Sequence, residues 1–292
     1  MKQIVLLSGK GGTGKTTVAA AFAHLAAQES RIVLIDADVD AANLELLLGA
    51  KKVEYHDFIG GKEASIDDVL CIACGRCAEV CRFDAVIETE DSYRIDPIAC
   101  EGCAACYYQC PSEAIAMKER HAGLWFRSET HFGPLFHARL YAGQENSGKL
   151  VTMVRQQANL WGVDHEADYI LIDGPPGIGC PVIAACAGAD LAILIVEPTI
   201  AGVHDLERIL ATTEHFRVPA ALVINKWDLD AERVAEIEHF AEERDIPIAG
   251  RVPFDTVVTE AIVQGRPVTA YDEAKVRASL EQAWHVVRAL LR

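Results

Sequence analysis

The stretch GKGGTGKTT, residues 9–17, decides the fold of this chain of 292 residues. It follows the apolar run QIVLLS at residues 3–8, which is typical of a strand buried on both faces. A helix is predicted after it, from about Lys15 to Gln28. The spacing G-x-x-x-x-G-K-[ST] between a buried strand and a helix predicts a phosphate-binding loop; the alternative is a glycine-rich turn that arose by chance.

Each residue type in this loop suits phosphate binding. The glycines let successive backbone N–H groups converge on phosphate oxygens, and the start of the helix adds a favourable dipole. Lys15 would reach the β and γ phosphates, and Thr16 would ligate Mg²⁺. The predicted nucleotide-binding residues are Gly9, Lys10, Gly11, Gly12, Thr13, Gly14, Lys15, Thr16 and Thr17.

Further apolar runs predict the rest of the fold. They occur at residues 31–36, 169–173, 191–196, 221–225 and 248–252, and helix-length segments such as 203–215 and 231–244 lie between several of them. Strands that alternate with helices indicate right-handed βαβ units. The predicted fold class is therefore α/β, with a mostly parallel sheet covered by helices on both faces.

The interval from about residue 45 to 168 is too long for an ordinary connection. Its middle holds two segments that align with the same cysteine spacing, IDDVLCIACGRCAEVCRFDAVI at residues 66–87 and IDPIACEGCAACYYQCPSEAIA at residues 95–116. We therefore expect a duplicated α+β domain at residues 62–118, inserted into a P-loop domain formed by residues 1–61 and 119–292. Residues 119–150 are expected to form strands or loops.

Eight of the ten cysteines lie in these two segments, each with the spacing C-x₂-C-x₂-C-x₃-C. Without a secretion signal, structural disulfides are not expected, and metal ligation is the natural interpretation. Zinc is the alternative, but zinc sites have no use for the third and fourth cysteine of each run. Thiolates are soft ligands that suit iron–sulfur chemistry.

The two runs resemble a bacterial two-cluster ferredoxin, in which each run gives three ligands to one [4Fe–4S] cluster and its fourth ligand to the other. The resemblance implies a first cluster held by Cys71, Cys74, Cys77 and Cys110. It implies a second cluster held by Cys100, Cys103, Cys106 and Cys81. Arg82 follows Cys81 where many ferredoxins have proline.

The loop GKGGTGKTT, with a lysine at position 10, resembles the deviant Walker A loop of the MinD/ParA superfamily of ATPases. That resemblance implies that Lys10 crosses a dimer interface and stabilises charge on the partner's nucleotide. The segment 36–44 resembles the D-x-D…NL motif, which implies that Asp38 orients the attacking water or the Mg²⁺ shell. The segment YILIDGPPG, residues 169–177, resembles Walker B, which implies that Asp173 holds Mg²⁺ through water. The implied catalytic residues are Lys10, Lys15, Asp38 and Asp173.

The base site is predicted from two segments. Residues 225–228 fit N-K-x-D, which reads guanine in GTPases through its aspartate. In the MinD/ParA superfamily the asparagine contacts adenine instead, and a P-x-D segment flanks the ring. The resemblance therefore assigns Asn225, Pro253 and Asp255 to the base and favours ATP over GTP.

Charge and composition restrict the partners. The formal net charge of −16 opposes binding to nucleic acid, and no apolar run is long enough to span a bilayer. We expect a cytoplasmic ATPase that uses ATP and Mg²⁺, forms an ATP-dependent homodimer or pairs with a homologue, and carries two [4Fe–4S] clusters. It would couple nucleotide state to electron transfer or to iron–sulfur or metallocofactor handling, with a redox or iron–sulfur protein as partner. The alternative is a MinD/ParA-type partner-organising ATPase whose clusters are structural or sense redox state.

Overall fold

The structure, a computed structural model, describes residues 1–144, 147–272 and 274–292. The chain divides into two compact units. The first unit contains Met1–His56, Trp125–Arg139 and Ser147–Arg292. The second contains Asp57–Leu124 and the described residues of Leu140–Asn146. The predicted insertion at residues 62–118 lies inside this second unit, which extends beyond the prediction on both sides because the two long strands β3 and β6 enter it.

The elements follow one another in this order: β1 (Lys2–Ser8), α1 (Lys15–Ala27), β2 (Ile32–Asp36), α2 (Leu44–Leu47), β3 (Lys51–Ile66), α3 (Arg76–Glu79), β4 (Val86–Glu88), β5 (Tyr93–Ile95), α4 (Ala105–Gln109), β6 (Ile115–Glu129), β7 (Pro134–Leu140), α5 (Ser147–Asp164), β8 (Tyr169–Pro176), α6 (Cys180–Cys186), β9 (Leu191–Val196), α7 (Ile200–His215), β10 (Ala220–Asn225), α8 (Ala231–Glu243), β11 (Ile248–Val252), α9 (Val257–Val263) and α10 (Lys275–Leu290). Short 3₁₀ turns lie at Trp227–Leu229 and Val268–Ala270.

In the described part of the chain, nine strands form one sheet in the order β11-β10-β9-β1-β8-β2-β7-β6-β3. Every pairing from β11 to β7 is parallel. The α/β fold with a mostly parallel sheet is therefore confirmed. Ligands of such sheets bind outside the carboxyl ends of the strands. Asp36, the last residue of β2, lies in register with Asp173 of β8, which marks this edge as the candidate site.

The core lies around the central strand β1, whose residues Ile4 to Leu7 are fully buried. This burial explains why the run has no polar alternation, since helices cover both faces of a parallel sheet. Helix α1 is rich in alanine, which favours helix and lets neighbours approach closely. Its Phe22 meets Trp284 of α10 with ring centroids 5.3 Å apart. This packing fixes the start of α1 beneath the glycine-rich loop.

In the segment 119–150 the expected strands are present, and the helix that begins at its end was not expected. The segment 119–150 contains most of β6, all of β7 and the first turn of the 18-residue helix α5, while residues 145 and 146 lie outside the described residues. Helix α5 buries Leu150, Val151, Val154 and Ala158, one apolar stripe at helical spacing. That stripe was not distinguished from the aromatic and glycine-rich residues before it.

The second unit contains the short antiparallel pair β4–β5 and the short helices α3 and α4. Its small core contains the buried residues Ala64, Cys77, Ala85, Cys100 and Ile115. Cysteine thiols therefore supply part of the core of this unit. Among the described residues, no helix is both long and apolar enough to cross a membrane.

Candidate nucleotide site and cysteine-lined cavities

The glycine-rich loop links β1 to α1 and leaves the first turn of the helix open. Gly12 and Gly14 have φ angles of 81° and 87°, which L side chains rarely adopt. A Cβ atom on Gly14 would lie 2.2 Å from Nδ2 of Asn225. No side chain caps the N-terminus of α1, and no acidic residue occupies its first turn. The described chain therefore presents free backbone N–H groups and a helix dipole to an anion.

The hydroxyl of Thr13 also fits a bound phosphate. Its Oγ1 is buried and has no hydrogen-bond partner in the described chain. A buried polar atom without a partner is costly, so its presence in this loop agrees with a ligand that completes it. Thr16 and Thr17 lie in the first turn of α1, both partly exposed.

Lys15 and Asp173 form a buried ion pair below the loop. Their Nζ and Oδ1 atoms are 2.6 Å apart, and the side chains are only 7% and 1% exposed. The pair joins the phosphate-binding loop to the end of β8. The structure thus brings together two predicted site residues that are far apart in the sequence.

Asp36 is a site residue that the sequence interpretation missed. Its carboxylate accepts the backbone N–H groups of Asp38 and Asn43, each at 3.0 Å, and of Leu44 at 2.9 Å. Burial and the neighbouring Asp173 carboxylate raise the pKa of Asp36 to about 7. Asp36 is the first aspartate of the D-x-D motif, whereas the resemblance implies a role only for the second, Asp38. Asp36 holds the loop after β2 against the sheet.

Asp38, the predicted catalytic residue of that loop, is partly exposed and has no ion pair among those found in the described chain. Its Oδ1 accepts the backbone N–H of Ala41 at 3.2 Å. Burial raises its pKa, while the positive charge of Lys15 acts in the opposite direction. Asp38 therefore lies within electrostatic reach of Lys15 and Asp173, at the open edge of the site.

Lys10 lies at the rim of the loop and contacts the segment after β9. Its Nζ is 3.3 Å from Oγ1 of Thr199 and 3.5 Å from Oε2 of Glu197. The buried Glu197 also pairs with Lys226, whose Nζ lies 3.4 Å from the carbonyl oxygen of Gly12. The sequence did not indicate this network, because its members come from three separate loops. It holds Lys10 within its own chain in the absence of nucleotide.

The predicted base residues lie beside the loop, along a cavity of about 220 Å³ lined by Asn225, Pro253 and Asp255, among others. Nδ2 of Asn225 donates to the carbonyl oxygen of Thr13 at 2.7 Å. Both carboxylate oxygens of Asp255 accept backbone N–H groups, from Val257 at 3.0 Å and Lys275 at 2.9 Å. Asp255 therefore fixes the starts of two helices, and Pro253 and Asn225 are the predicted residues left to face the base.

Asp228, the aspartate of N-K-x-D, is engaged in a structural contact. Its Oδ1 accepts the backbone N–H of Phe254 at 2.7 Å. A guanine-reading aspartate must offer its carboxylate to the N–H groups of the base edge. One carboxylate oxygen of Asp228 is already used, which weakens the GTPase alternative.

The eight clustered cysteines line two cavities of the second unit, which we call cavity one and cavity two. Cavity one is lined by Cys71, Cys74, Cys77 and Cys110. Cavity two is lined by Cys81, Cys100, Cys103 and Cys106. In each cavity, three cysteines come from one half of the repeat and the fourth comes from the other. These are the two groupings that the ferredoxin resemblance implies.

Across the described ranges, no three His, Cys, Asp or Glu side chains are grouped so as to hold a single metal ion. A [4Fe–4S] cluster is bound differently, since each of four thiolates ligates a different iron at its own corner of the cubane. All cysteines are free of disulfides. Four soft donors around one cavity fit such a group. Cys180 is exposed at the start of α6 and Cys186 is buried in the same helix, and neither lines these cavities.

Comparison with known proteins agrees with this geometry. Residues 4–268 match the family described as the CobQ/CobB/MinD/ParA nucleotide binding domain. An uncharacterized protein of Methanocaldococcus jannaschii, MJ0578, is 38% identical over 224 residues, which cover 77% of this chain and 78% of that protein. The septum site-determining protein MinD of Bacillus subtilis is 25% identical over 95% of this chain and 84% of its own length.

A similar fold occurs among solved structures. The septum site-determining protein MinD of Pyrococcus horikoshii, complexed with Mg-ADP, superposes with a TM-score of 0.63. The match covers 99% of this chain and 96% of that chain, at 21% sequence identity. With a family match over most of its length and a phosphate-binding loop set above a buried lysine–aspartate pair, the chain belongs to the CobQ/CobB/MinD/ParA nucleotide-binding family and is a P-loop ATPase.

Proposed function

We propose that this ATPase is a nucleotide-dependent dimeric switch of the MinD/ParA kind that organises a partner protein, and that its second unit carries two [4Fe–4S] clusters with a structural or redox-sensing role. The observation that carries the switch is the buried pair of Lys15 and Asp173. Relatives named MinD match almost the full chain, and a solved structure of the same fold is a MinC:MinD complex from Aquifex aeolicus, which supports a protein partner.

Nucleotide binding would break the pair between Lys15 and Asp173. The P-loop lysine can serve the phosphates only if its Nζ leaves Oδ1 of Asp173, now 2.6 Å away. Thr16 and Asp173 would hold Mg²⁺, an ion that prefers oxygen ligands and neutralises charge on the phosphates. Exchange of Lys15 from carboxylate to phosphate thus frees Asp173 for its predicted role. Nucleotide binding and the separation of Lys15 from Asp173 would therefore occur together.

The conformation of the loop after β2 would depend on whether the bound nucleotide has a γ-phosphate. Asp36 fixes this loop through three backbone N–H groups, and Asp38 lies at its open edge, where it would orient the attacking water. Helix α2 starts at Leu44, one of the residues bonded to Asp36, and the chain continues into β3. A movement of this loop would therefore be passed along the chain toward the second unit.

Lys10 would complete the site of a second copy. Its side chain is 34% exposed and ends at Glu197 and Thr199 on the rim. Glu197 keeps a second partner in Lys226, so Lys10 can leave without stranding a buried carboxylate. Such a lysine, supplied across a dimer interface, would stabilise charge that develops during hydrolysis. A paired homologue that carries the same loop could take the place of the second copy.

The base would be adenine. Asn225 uses Nδ2 to hold the loop at Thr13, which leaves its side-chain oxygen as an acceptor for the adenine amino group. One carboxylate oxygen of Asp228 accepts from the backbone of Phe254, so Asp228 would offer guanine only its second oxygen. ATP is therefore the proposed substrate, with the ring placed between Asn225 and Pro253.

An ATP-gated electron carrier is the second candidate, and the two cysteine-lined cavities favour it. When bound, the clusters would supply one-electron redox chemistry. This candidate differs from the first in what nucleotide does to the clusters. An electron carrier requires reduction potentials that shift between the ADP and ATP states, whereas a partner-organising ATPase does not.

The deciding experiment compares the protein reconstituted anaerobically with iron and sulfide and a cluster-free variant, Cys77→Ser combined with Cys106→Ser. Thermal unfolding first establishes that the variant is folded. A partner-organising ATPase retains ATP hydrolysis and ATP-dependent dimerisation without clusters. If both are lost with the clusters, and the potentials of the wild type shift between ADP and an ATP analogue but not in Lys10→Ala, the electron carrier replaces the first proposal.

A further inference from the structure

We propose that the two cavities hold clusters of unequal reduction potential, and that the cluster of cavity one is reduced first. This inference rests on the proposed function, because it presumes two [4Fe–4S] clusters. The observation behind it is the difference between the residues that surround the two cavities. The two halves of the repeat align residue by residue, so that each position around cavity one has an equivalent around cavity two.

Much of the surroundings is the same in both cavities. The fourth cysteine of each accepts one backbone N–H, with Ala114 N 3.3 Å from Sγ of Cys110 and Ala85 N 3.4 Å from Sγ of Cys81. Each set also contains one buried, one exposed and two partly exposed cysteines. Backbone hydrogen bonds to the fourth sulfur and solvent exposure, two determinants of cluster potential, therefore do not distinguish the cavities.

A hydroxyl group near a ligand sulfur distinguishes them. Oγ of Ser112 lies 3.6 Å from Sγ of Cys110, a ligand of cavity one. The equivalent residue beside Cys81 is Phe83, which has no donor and is 42% exposed. When Cys110 is a thiolate, the serine hydroxyl must be the donor. Cavity one thus has a side-chain hydrogen bond to sulfur that cavity two lacks.

A second hydroxyl lies in the wall of cavity one. Tyr93 lines that cavity, and a Cβ atom on Gly75 would lie 3.2 Å from its hydroxyl oxygen. Gly75 follows Cys74, so the phenol stands beside the loop that carries a ligand, where its hydroxyl is hydrogen-bonded to the side chain of Glu88. The residue equivalent to Tyr93 is Ala64, which lines cavity two and has no polar group. A polar wall in one cavity corresponds to an apolar wall in the other.

Charge differs in the same direction. Arg76 lines cavity one, and its equivalent in cavity two is Ala105. Glu101 lines cavity two, and its equivalent in cavity one is Ile72. A further cation lies near cavity two, because Arg120 donates to the carbonyl oxygen of Cys100 at 2.8 Å. In the linings themselves, the charged residue of cavity one is the cation Arg76 and that of cavity two is the anion Glu101; outside the linings, Arg120 lies near cavity two and Glu88 bonds to Tyr93 of cavity one.

These differences act together on the reduced state. Reduction adds one negative charge to a cluster, and donors or cations near its sulfurs stabilise that charge. Cavity one offers the hydroxyl of Ser112 and the guanidinium of Arg76. The added electron is therefore more stable in cavity one, and the duplicated unit has one cluster of higher and one of lower potential.

The test is a redox titration, followed by electron paramagnetic resonance, of the anaerobically reconstituted full chain. The wild type should show two separate one-electron steps. Ser112→Ala should lower the step of higher potential and leave the lower step in place. The mirror variant Phe83→Ser should raise the lower step and bring the two closer together.

Two results would overturn the proposal. The first is that the two steps coincide in the wild type. The second is that Ser112→Ala shifts the step of lower potential, which would assign the cluster of cavity one to that lower step. Failure of the proposed function gives a different result, since a protein that takes up no [4Fe–4S] cluster on reconstitution shows no titration at all. The variants leave all eight cysteines in place, so cluster content, measured as iron and sulfide per chain, serves as the control for each.

Discussion

The ammonium group of Lys15, the lysine of the phosphate-binding loop, forms an ion pair with the buried carboxylate of Asp173. Asp36 lies next to this pair in the sheet register and keeps a raised pKa of about 7 because of burial and the charge of Asp173. Two carboxyl groups and one ammonium group thus share a space with little water. The same charged groups are the ones proposed to bind phosphate and Mg²⁺.

Removal of the lysine should destabilise the nucleotide-free protein. Lys15→Met leaves Asp173 buried beside Asp36 without a counter-charge, and loss of one partner of a buried ion pair costs about 3–5 kcal/mol. Urea unfolding at pH 8 without nucleotide measures the change. Lys2→Met is the matched control, because Lys2 pairs with Asp190 at an exposed site and should cost less than about 1 kcal/mol. Equal effects of the two variants would contradict the role of the buried pair.

The nucleotide preference should be for ATP. Guanine would lose the hydrogen bond to the one carboxylate oxygen that Asp228 gives to Phe254, and the loss of a hydrogen bond to a charged group costs about 1.5–3 kcal/mol, which is tenfold or more in affinity. Calorimetric titration with ATP and GTP analogues measures the ratio. Asp228→Asn should change the ratio little, since an amide oxygen can still accept from Phe254. Tighter binding of GTP than of ATP would show that the contact with Phe254 does not prevent guanine recognition.

Acid should destabilise the first unit through His137. This buried ring lies 2.9 Å from Oγ of Ser128 and 3.6 Å from Oε2 of Glu45, and it stacks on Phe126. Burial lowers its pKa from 6.5 to about 4; Glu45 opposes the shift and Lys52 adds to it. The unfolded chain therefore binds a proton at higher pH than the folded chain does, so stability falls as the pH drops from 6.5 towards 4.

The slope expected from one proton is at most about 1.4 kcal/mol per pH unit. Chemical denaturation at several pH values between 4 and 7 measures it. His137→Gln should flatten this part of the profile, whereas His165→Gln, at an exposed position, should not. A profile of unchanged slope in His137→Gln would assign the acid sensitivity to other groups.

The crossed cysteine sets predict which cluster each substitution affects. Cys110→Ser should impair the cluster of cavity one, although Cys110 belongs to the second run, and Cys81→Ser should impair the cluster of cavity two. Mössbauer and paramagnetic resonance spectra of each variant identify the cluster that survives, with Cys180→Ser as control. If Cys110→Ser and Cys103→Ser impaired the same cluster, the crossed assignment would be wrong.

Local sequence patterns predicted those elements that follow one another directly along the chain. The run at residues 3–8, the glycine-rich loop and the helix after it occupy adjacent positions, and β1 and α1 confirm them. The role of Asp173 followed from the resemblance of residues 169–177 to Walker B, and the parallel sheet places this aspartate beside Asp36. The prediction of β1 and α1 needs only the periodicity of strands and helices.

Other parts of the site depend on contacts between distant segments. Glu197 holds Lys10 and Lys226, which are more than 150 residues apart, and no spacing rule predicts such a pairing. The engagement of Asp228 and Asp255 with backbone groups likewise depends on where β11 and α10 lie. The limits of the second unit were also not predictable, because β3 and β6 continue through the boundary between the units as unbroken strands.

The central claim is that two copies of this chain share their sites through Lys10. Lys10→Ala and Asp38→Asn should each hydrolyse ATP far more slowly than the wild type while retaining nucleotide binding. Mixed in equal amounts, they form dimers in which the Lys10→Ala subunit keeps its own Asp38 and receives Lys10 from its partner. Random pairing in a two-fold dimer then restores about a quarter of wild-type turnover. If the mixture shows only the sum of the two separate activities, Lys10 acts within its own chain and the account is wrong.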